Sequence, residues 1–188
     1  MPPPVSGRVD GPLGTGPTAL PSRGVSSSAM SDDLRLRAVA EDDLPEFYAH
    51  QLDPEAGRMA AFGAADPADT RAFAAHWMRI LTDPRNLAWT VTVDDAVVGH
   101  VLVFPAEGRT EVSYWIDPAR WGRGYATRAL AALLREVTRR PLYARTATDN
   151  IGSLTVLRRC GFVIRSTERA YAPGRGEEID EYLLELPA

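Results

Sequence analysis

Asp117-Pro118-Ala119-Arg120-Trp121-Gly122-Arg123-Gly124-Tyr125-Ala126-Thr127 is the stretch on which the reading of the fold turns. Before it stands Thr110 to Ile116, rich in β-branched and aromatic residues. After it comes a helical pattern in which Ala126, Leu130, Leu133, Leu134 and Val137 mark one face. A Gly-x-Gly pair at such a strand-to-helix turn lets the backbone approach a ligand closely, and the first turn of the helix offers unpaired N–H groups at a positive dipole end. Each anionic group held there gains roughly 0.3 to 1 kcal/mol when exposed and about 2 when partly buried, which favours a diphosphate. The bland alternative is a pair of glycines that merely closes a tight connection. A P-loop is excluded, because it ends in Lys-Ser or Lys-Thr and this chain has no Lys. A dinucleotide fingerprint would want Gly or Ala where Thr127 stands, after the first strand of a parallel unit.

Working outward, Leu87 to Val93, Ala96 to Phe104 and Thr110 to Ile116 read as an antiparallel meander, broken at Asp94-Asp95 and at Glu107-Gly108-Arg109. The middle run is apolar on both faces, Val97, Val101 and Val103 on one side and Val98, Leu102 and Phe104 on the other, as a central strand would be. Leu34 to Ala38 alternates as a half-buried strand, and a helix is expected from about Asp42 to Leu52. Asp66-Pro67 carries an N-cap and N1 signature for a helix striped by Phe73, Trp77, Ile80 and Leu81 and ended by Asp83-Pro84. Downstream come a strand from Leu142 to Thr146 and a helix from about Asn150 to Arg159 that stops at Gly161. Two last strands, Phe162 to Arg169 and Glu178 to Leu186, follow. The order β-α-α-β-β-β-α-β-α-β-β describes a mixed sheet with helices on its faces, an α/β or α+β architecture.

The composition bounds what such a domain does. Of 188 residues 45% are apolar and 24% charged, which fits one globular domain and excludes fibrous or wholly disordered chains. A net charge of -4 removes the broad positive field of a non-specific nucleic-acid binder. No run is long and apolar enough to span a bilayer. Cys160 is the single cysteine, so no internal disulfide and no cysteine-based zinc site can form, and a cytoplasmic setting is expected. Residues 1–30 are expected to be a disordered extension ahead of a domain spanning 31–188. Its first 29 positions hold 6 Pro, 5 Gly and 5 Ser and too few large apolar groups to offset the entropy of ordering.

Three blocks, Glu111-Val112-Ser113-Tyr114-Trp115-Ile116-Asp117-Pro118, then Trp121 to Thr127, then Asn150-Ile151-Gly152-Ser153 with Cys160-Gly161-Phe162, occur in an order and spacing far more specific than any one of them. Together they resemble the GNAT superfamily of acyl-CoA-dependent N-acyltransferases, specifically its RimJ/RimL-like branch, over about Leu34 to Leu186. The resemblance implies a GNAT fold with a mixed central sheet of about seven strands and about four flanking helices. It implies acetyl-CoA as co-substrate and no metal. The pyrophosphate would sit on the amides of Gly122, Arg123, Gly124, Tyr125, Ala126 and Thr127, behind Trp121. The pantetheine arm would lie like an extra strand against Trp115 and Ile116. Arg128 stands where this branch often has Glu.

Acyl transfer to an amine needs a base for the ammonium proton and donors for the oxyanion and the departing thiolate. Glu111, on the strand leading to the turn and sharing a face with Ser113 and Trp115, is the candidate base; a solvated strand-start charge is the alternative. Asn150 and Ser153 are candidate catalytic and cofactor-binding residues in the first turn of a helix, where capping is the alternative. Many relatives carry a tyrosine for the thiol at the position of Leu157, and Ser153 inherits that role here. His50, His76 and His100 lack ligand spacing and read as packed or surface residues. Cys160 reads as an inert thiol packed with Leu157, and Trp77, Trp89 and Phe104 as core. The implied partner is a small-molecule or peptide amine, with no nucleic acid and no membrane, and the chain is expected to be a monomer or homodimer. A non-catalytic acyl-CoA-binding regulatory module of the same fold is the rival reading.

Overall fold

A computed structural model describes residues 32–188, so the expected disordered extension over residues 1–30 lies outside the described residues. Seven strands form one sheet: β1 (Leu34–Ala38), β2 (Leu87–Val93), β3 (Ala96–Ala106), β4 (Arg109–Ile116), β5 (Leu142–Ala147), β6 (Val163–Ala172) and β7 (Glu177–Leu186). Their spatial order is β1-β2-β3-β4-β5-β7-β6. β2, β3 and β4 are the expected antiparallel meander, and β7 inserts between β5 and β6. β4 and β5 are parallel and pair only at Glu111 opposite Tyr143. Past that pair the two strands are no longer bridged, so the sheet opens into a fork toward Ile116 and Ala147. The fork opens at the carboxyl ends of both strands, where parallel sheets characteristically bind ligands.

Five helices flank the sheet: α1 (Leu44–Gln51), α2 (Pro54–Ala60), α3 (Thr70–Thr82), α4 (Tyr125–Glu136) and α5 (Ile151–Arg159). Leu130, Leu133, Leu154 and Leu157 of α4 and α5 pack with Val101, Val103, Val112, Ile116 and Leu184 in the main core. On the other face Phe47 of α1 and Trp77 of α3 pack on Leu102, with Phe104 beside them. Trp77 and Phe104 thus belong to the core as expected, and Trp89 packs against the main cluster. Asp43 ties this second layer to the sheet, because its buried carboxylate accepts from Arg37 through both oxygens at 2.6 Å and from Thr90 Oγ1 at 2.6 Å. The Arg37 guanidinium, and then the Thr90 hydroxyl, hold its pKa down to about 2.

Four local expectations are corrected. α2 was not foreseen; it is short and weakly patterned, and it is set by Asp53, whose Oδ1 accepts from the Ala56 amide at 2.9 Å ahead of Pro54. The expected Asp42–Leu52 helix begins as a 3-10 turn over Glu41–Asp43 before α1. α3 is capped by Asp69, which accepts from the Arg71 and Ala72 amides, whereas Asp66 closes the preceding turn and Leu81 is exposed. Finally, a bulge opposite Val91 and Thr92 shifts the phase of β3 at Val98. Val98 therefore joins Val101 and Val103 in the main core, and Val97 lies with Leu102 and Phe104 on the other side. One inserted residue exchanges the faces of everything before it.

Candidate active site

The two limbs of the fork each lead into a helix, β4 into α4 through the glycine turn and β5 into α5 through Thr148-Asp149-Asn150. Asp117 starts the glycine turn with its amide on the Val98 carbonyl at 2.8 Å and its Oδ1 on the Ala119 amide at 2.9 Å. Trp121, half exposed, donates from Nε1 to the Ile116 carbonyl at 2.8 Å and so clamps the turn onto the end of β4. Gly122 and Gly124 have φ of 76° and 77°, and a Cβ at either would meet nothing within 4 Å. Here the backbone conformation demands glycine, and the space a side chain would fill is left open to a ligand.

α4 differs at its N-terminus from α2, α3 and α5. Those three are capped by side chains of Asp53, Asp69 and Asn150, whereas Gly124 gives α4 no side-chain cap and its first turn holds no acidic residue. Among the described residues no acceptor meets the amides of Gly122, Arg123, Gly124, Tyr125, Ala126 or Thr127. Trp121 to Gly124, four consecutive exposed residues, and the half-buried Ala126 and Thr127 leave those donors near the surface; Tyr125 between them is buried, with its hydroxyl on Asp32. Arg123 forms no ion pair among the described residues, so its guanidinium is free to neutralise an anion. These residues fit a pyrophosphate.

Across the fork, Asn150 caps α5 with its Oδ1 on the Ser153 amide at 2.9 Å and donates from Nδ2 to the Met59 carbonyl at 2.9 Å. Both ends of its amide are engaged, so it ties α5 to α2. Ser153 keeps its hydroxyl in contact with Tyr114 of β4, Oγ to Oη at 2.9 Å. Cys160 donates its thiol to the Thr127 carbonyl at 3.7 Å, and burial raises its pKa, so this thiol packs α5 against α4.

Glu111 points to the opposite face of the sheet from Tyr114, with Ser113 and Trp115, because Val112 and Ile116 occupy the main core. Its side chain is only 7% exposed and Oε1 accepts from Arg145 Nε at 3.2 Å. That geometry removes the solvated strand-start alternative. Arg145 was not singled out from the sequence, yet it is the hub of this face, reaching Glu107, Glu168 and Glu181 as well. Glu181 is nearly sealed, and burial pushes its pKa up against the pull of Arg145. A lone Arg in the otherwise compact β5 run Leu142-Tyr143-Ala144-Arg145-Thr146-Ala147 was the one signal in the sequence that could have found it.

The histidines converge although their spacing gave no motif. The His100 ring lies 4.8 Å from the tilted ring of Phe47 and meets Trp77 edge-on at 4.9 Å, and His50 lies 4.0 Å from Asp117 through Nε2. Among the described residues no group of His, Cys, Asp and Glu is arranged to hold a metal. No helix among them is long and apolar enough to cross a membrane. Surface depressions around Leu87 and Pro105 and around Leu44 and Phe73 contain none of the expected site residues.

The acetyltransferase (GNAT) domain profile matches residues 33–163, from β1 to the start of β6. The chain belongs to the GNAT acetyltransferase family. Its fold is shared with spermidine N-acetyltransferase from Vibrio cholerae, solved in complex with CoA and spermine. That likeness has a TM-score of 0.70 at 17% identity and covers 82% of this chain and 95% of the other. It is also similar to RimJ from Mycobacterium smegmatis in complex with CoA-disulfide, with a TM-score of 0.67, 20% identity and 82% of each chain covered. RimL, the ribosomal L7/L12 α-N-protein acetyltransferase, solved with CoA, gives 0.66 at 19% identity over 80% of this chain and 92% of the other. No curated protein sequence matches the chain. The mixed seven-stranded sheet is the GNAT sheet, with one more helix than expected.

Proposed function

We propose that this GNAT-family chain transfers an acetyl group from acetyl-CoA to a primary amine by direct attack in a ternary complex, and that it belongs with the RimJ/RimL-like branch. One observation carries the reading: the uncapped N-terminus of α4, with its two positive-φ glycines, stands at the mouth of an open fork between β4 and β5. The amides from Gly122 to Thr127 hold the pyrophosphate, with Arg123 adding charge and the Thr127 hydroxyl a further donor. The edge of β4 at Trp115 and Ile116, left unbridged by β5, receives the pantetheine arm as a short added strand. It does so through the Ile116 amide rather than the carbonyls, since the Trp115 carbonyl faces Gly99 of β3 and the Ile116 carbonyl accepts from Trp121.

Glu111 takes the ammonium proton directly or through a water, held in place by Arg145. The nitrogen lone pair then attacks the thioester carbonyl, the C–S bond breaks with its electron pair going to sulfur, the nitrogen gives up its second proton to solvent, and Ser153 offers its hydroxyl to the departing thiolate. Asn150 fixes Ser153 for that task through the cap. The acceptor is a protein N-terminal α-amine or a small-molecule amine, the two kinds named in the RimL and spermidine N-acetyltransferase relatives. Deprotonation at pH 7 costs about 4.6 kcal/mol for a lysine-like amine of pKa about 10.4 and about 1 kcal/mol for an α-amine near 7.7, so the α-amine is the less demanding acceptor.

The test is mass spectrometry of the purified chain incubated with acetyl-CoA and a panel containing spermidine, aminoglycosides and peptides with free α-amines. Gain of one acetyl group on an amine, dependent on enzyme, is the expected result. CoA binding with no acetylated product from any amine would leave only the non-catalytic acyl-CoA-binding module.

A further inference from the structure

Ser153 has one hydroxyl hydrogen and can offer it to sulfur only if that hydrogen is not spent on the protein. Its surroundings decide this. The Asn150 carbonyl oxygen takes the Ser153 amide, and Leu157, one turn further on α5, is fully buried and offers no donor. The remaining partner comes from the other limb of the fork. Tyr114 of β4 brings its Oη to 2.9 Å from Ser153 Oγ and 3.2 Å from the Ser153 carbonyl oxygen. Phenol and serine sit on opposite limbs, so this contact spans the fork on the α4 and α5 side, whereas Glu111 and Arg145 lie on the other face.

The direction of the bond follows from chemistry. A phenol is a far stronger hydrogen-bond acid than an aliphatic alcohol, and Ser153 Oγ at 2.9 Å stands nearer than the Ser153 carbonyl oxygen at 3.2 Å, so the Tyr114 hydrogen goes to Oγ. Burial pushes the Tyr114 pKa above its ordinary value, so the phenol stays neutral and keeps its hydrogen across the working pH range. A hydroxyl that accepts one hydrogen bond donates a stronger one, which leaves the Ser153 hydrogen both free and strengthened.

We propose that Tyr114 is a positioning residue for thiolate departure: it donates to Ser153 Oγ across the fork and thereby aims the serine hydrogen at the sulfur of CoA. The inference rests on the reading of Ser153 as the sulfur's donor. No proton needs to pass along the pair. As the C–S bond breaks its electrons settle on sulfur, the serine hydrogen stays on oxygen as a hydrogen bond to the thiolate, and the proton released by the amine reaches the thiolate through solvent. Tyr114 itself never becomes a tyrosinate.

The experiment reads the sulfur and needs no acceptor amine. The pKa of the thiol of bound CoA is measured from thiolate absorbance against pH, with the desulfo-CoA complex as the blank, in the wild-type chain and in Tyr114→Phe, Ser153→Ala, Ser153→Thr and the Tyr114→Phe/Ser153→Ala double variant. Donation to a thiolate lowers its pKa, so both single variants raise the bound thiol pKa by about one unit. The double variant is no higher than Ser153→Ala, because Tyr114 acts through the serine. Ser153→Thr, which keeps a hydroxyl, stays near wild type. CoA-dependent thermal stabilisation is retained throughout, which separates positioning from folding. An unchanged thiol pKa in Tyr114→Phe, or shifts that simply add in the double variant, overturns the proposal. Failure of the wild-type chain to acetylate any amine, with these shifts intact, counts instead against the acetyl-transfer reading. Absence of CoA binding overturns both.

Discussion

Gly124 holds φ at 77° with open space where its Cβ would be, so a side chain there meets two penalties: a strained backbone and a blocked approach to the α4 amides. Gly124→Val is expected to abolish the rise in melting temperature produced by CoA while leaving the far-UV circular dichroism of the free protein unchanged; retained CoA affinity would move the pyrophosphate elsewhere. Glu111 makes a different prediction. Glu111→Gln keeps the shape and still accepts from Arg145 but removes the base, so the rate falls about 10²-fold or more near neutral pH and partly recovers as rising pH deprotonates the free amine. A pH–rate profile parallel to wild type would pass the proton to water instead. The sequence showed which residues these are but not what surrounds them. Glu111 could be placed on its strand and on the face with Ser113 and Trp115. That it is buried against Arg145 depends on β5 lying alongside β4, a contact between residues 34 apart that no local pattern records.

At the scale of elements, the cap of α5 does two jobs, because Asn150 satisfies the Ser153 amide and also reaches the Met59 carbonyl at the end of α2. Asn150→Ala is expected to cost about 1 kcal/mol in denaturant unfolding, as loss of an N-cap does, and to lower turnover together with it as Ser153 loosens. Asn150→Asp keeps the cap and should recover most of the stability. Loss of turnover with full stability in Asn150→Ala would instead give Asn150 a direct role in the reaction. The meander, α4 and α5 were legible because each carries its own periodicity and its own stops: the turn at Asp94-Asp95, Pro118, Gly161. α2 was not, since seven residues with little apolar pattern rest on one aspartate cap. The phase shift of β3 was hidden for a related reason. Gly99 hinted at it, and a Cβ there would stand 2.0 Å from the Trp115 carbonyl oxygen, but an all-apolar strand looks the same whichever way its residues point.

Over the whole molecule, the second layer of α1 and α3 is fastened to the sheet by groups that acid disturbs in sequence. His100 and His50 have their pKa values pushed down by burial, so the unfolded chain binds protons more readily than the folded one as pH falls below about 6.5. Stability present above that pH is therefore lost progressively on acidification. Asp43, held down to about 2 by Arg37, adds a second loss as pH falls through the ordinary carboxylate range toward that value. Melting temperature is expected to fall between pH 6.5 and 4, and His100→Phe, which keeps an aromatic ring beside Phe47 and Trp77, should flatten that part of the curve. An identical slope in the variant would assign the acid sensitivity to other groups. The same architecture makes the functional claim: a sheet that parts between β4 and β5, with a donor-rich turn on one limb and a capped serine on the other. A crystal structure of the chain with CoA bound tests it most directly. The pyrophosphate should lie within hydrogen-bonding distance of the amides from Gly122 to Thr127, with the pantetheine in the fork and the sulfur beside Ser153 Oγ. CoA bound away from the fork, or a fork closed by pairing of β4 with β5 beyond Glu111 and Tyr143, would contradict it.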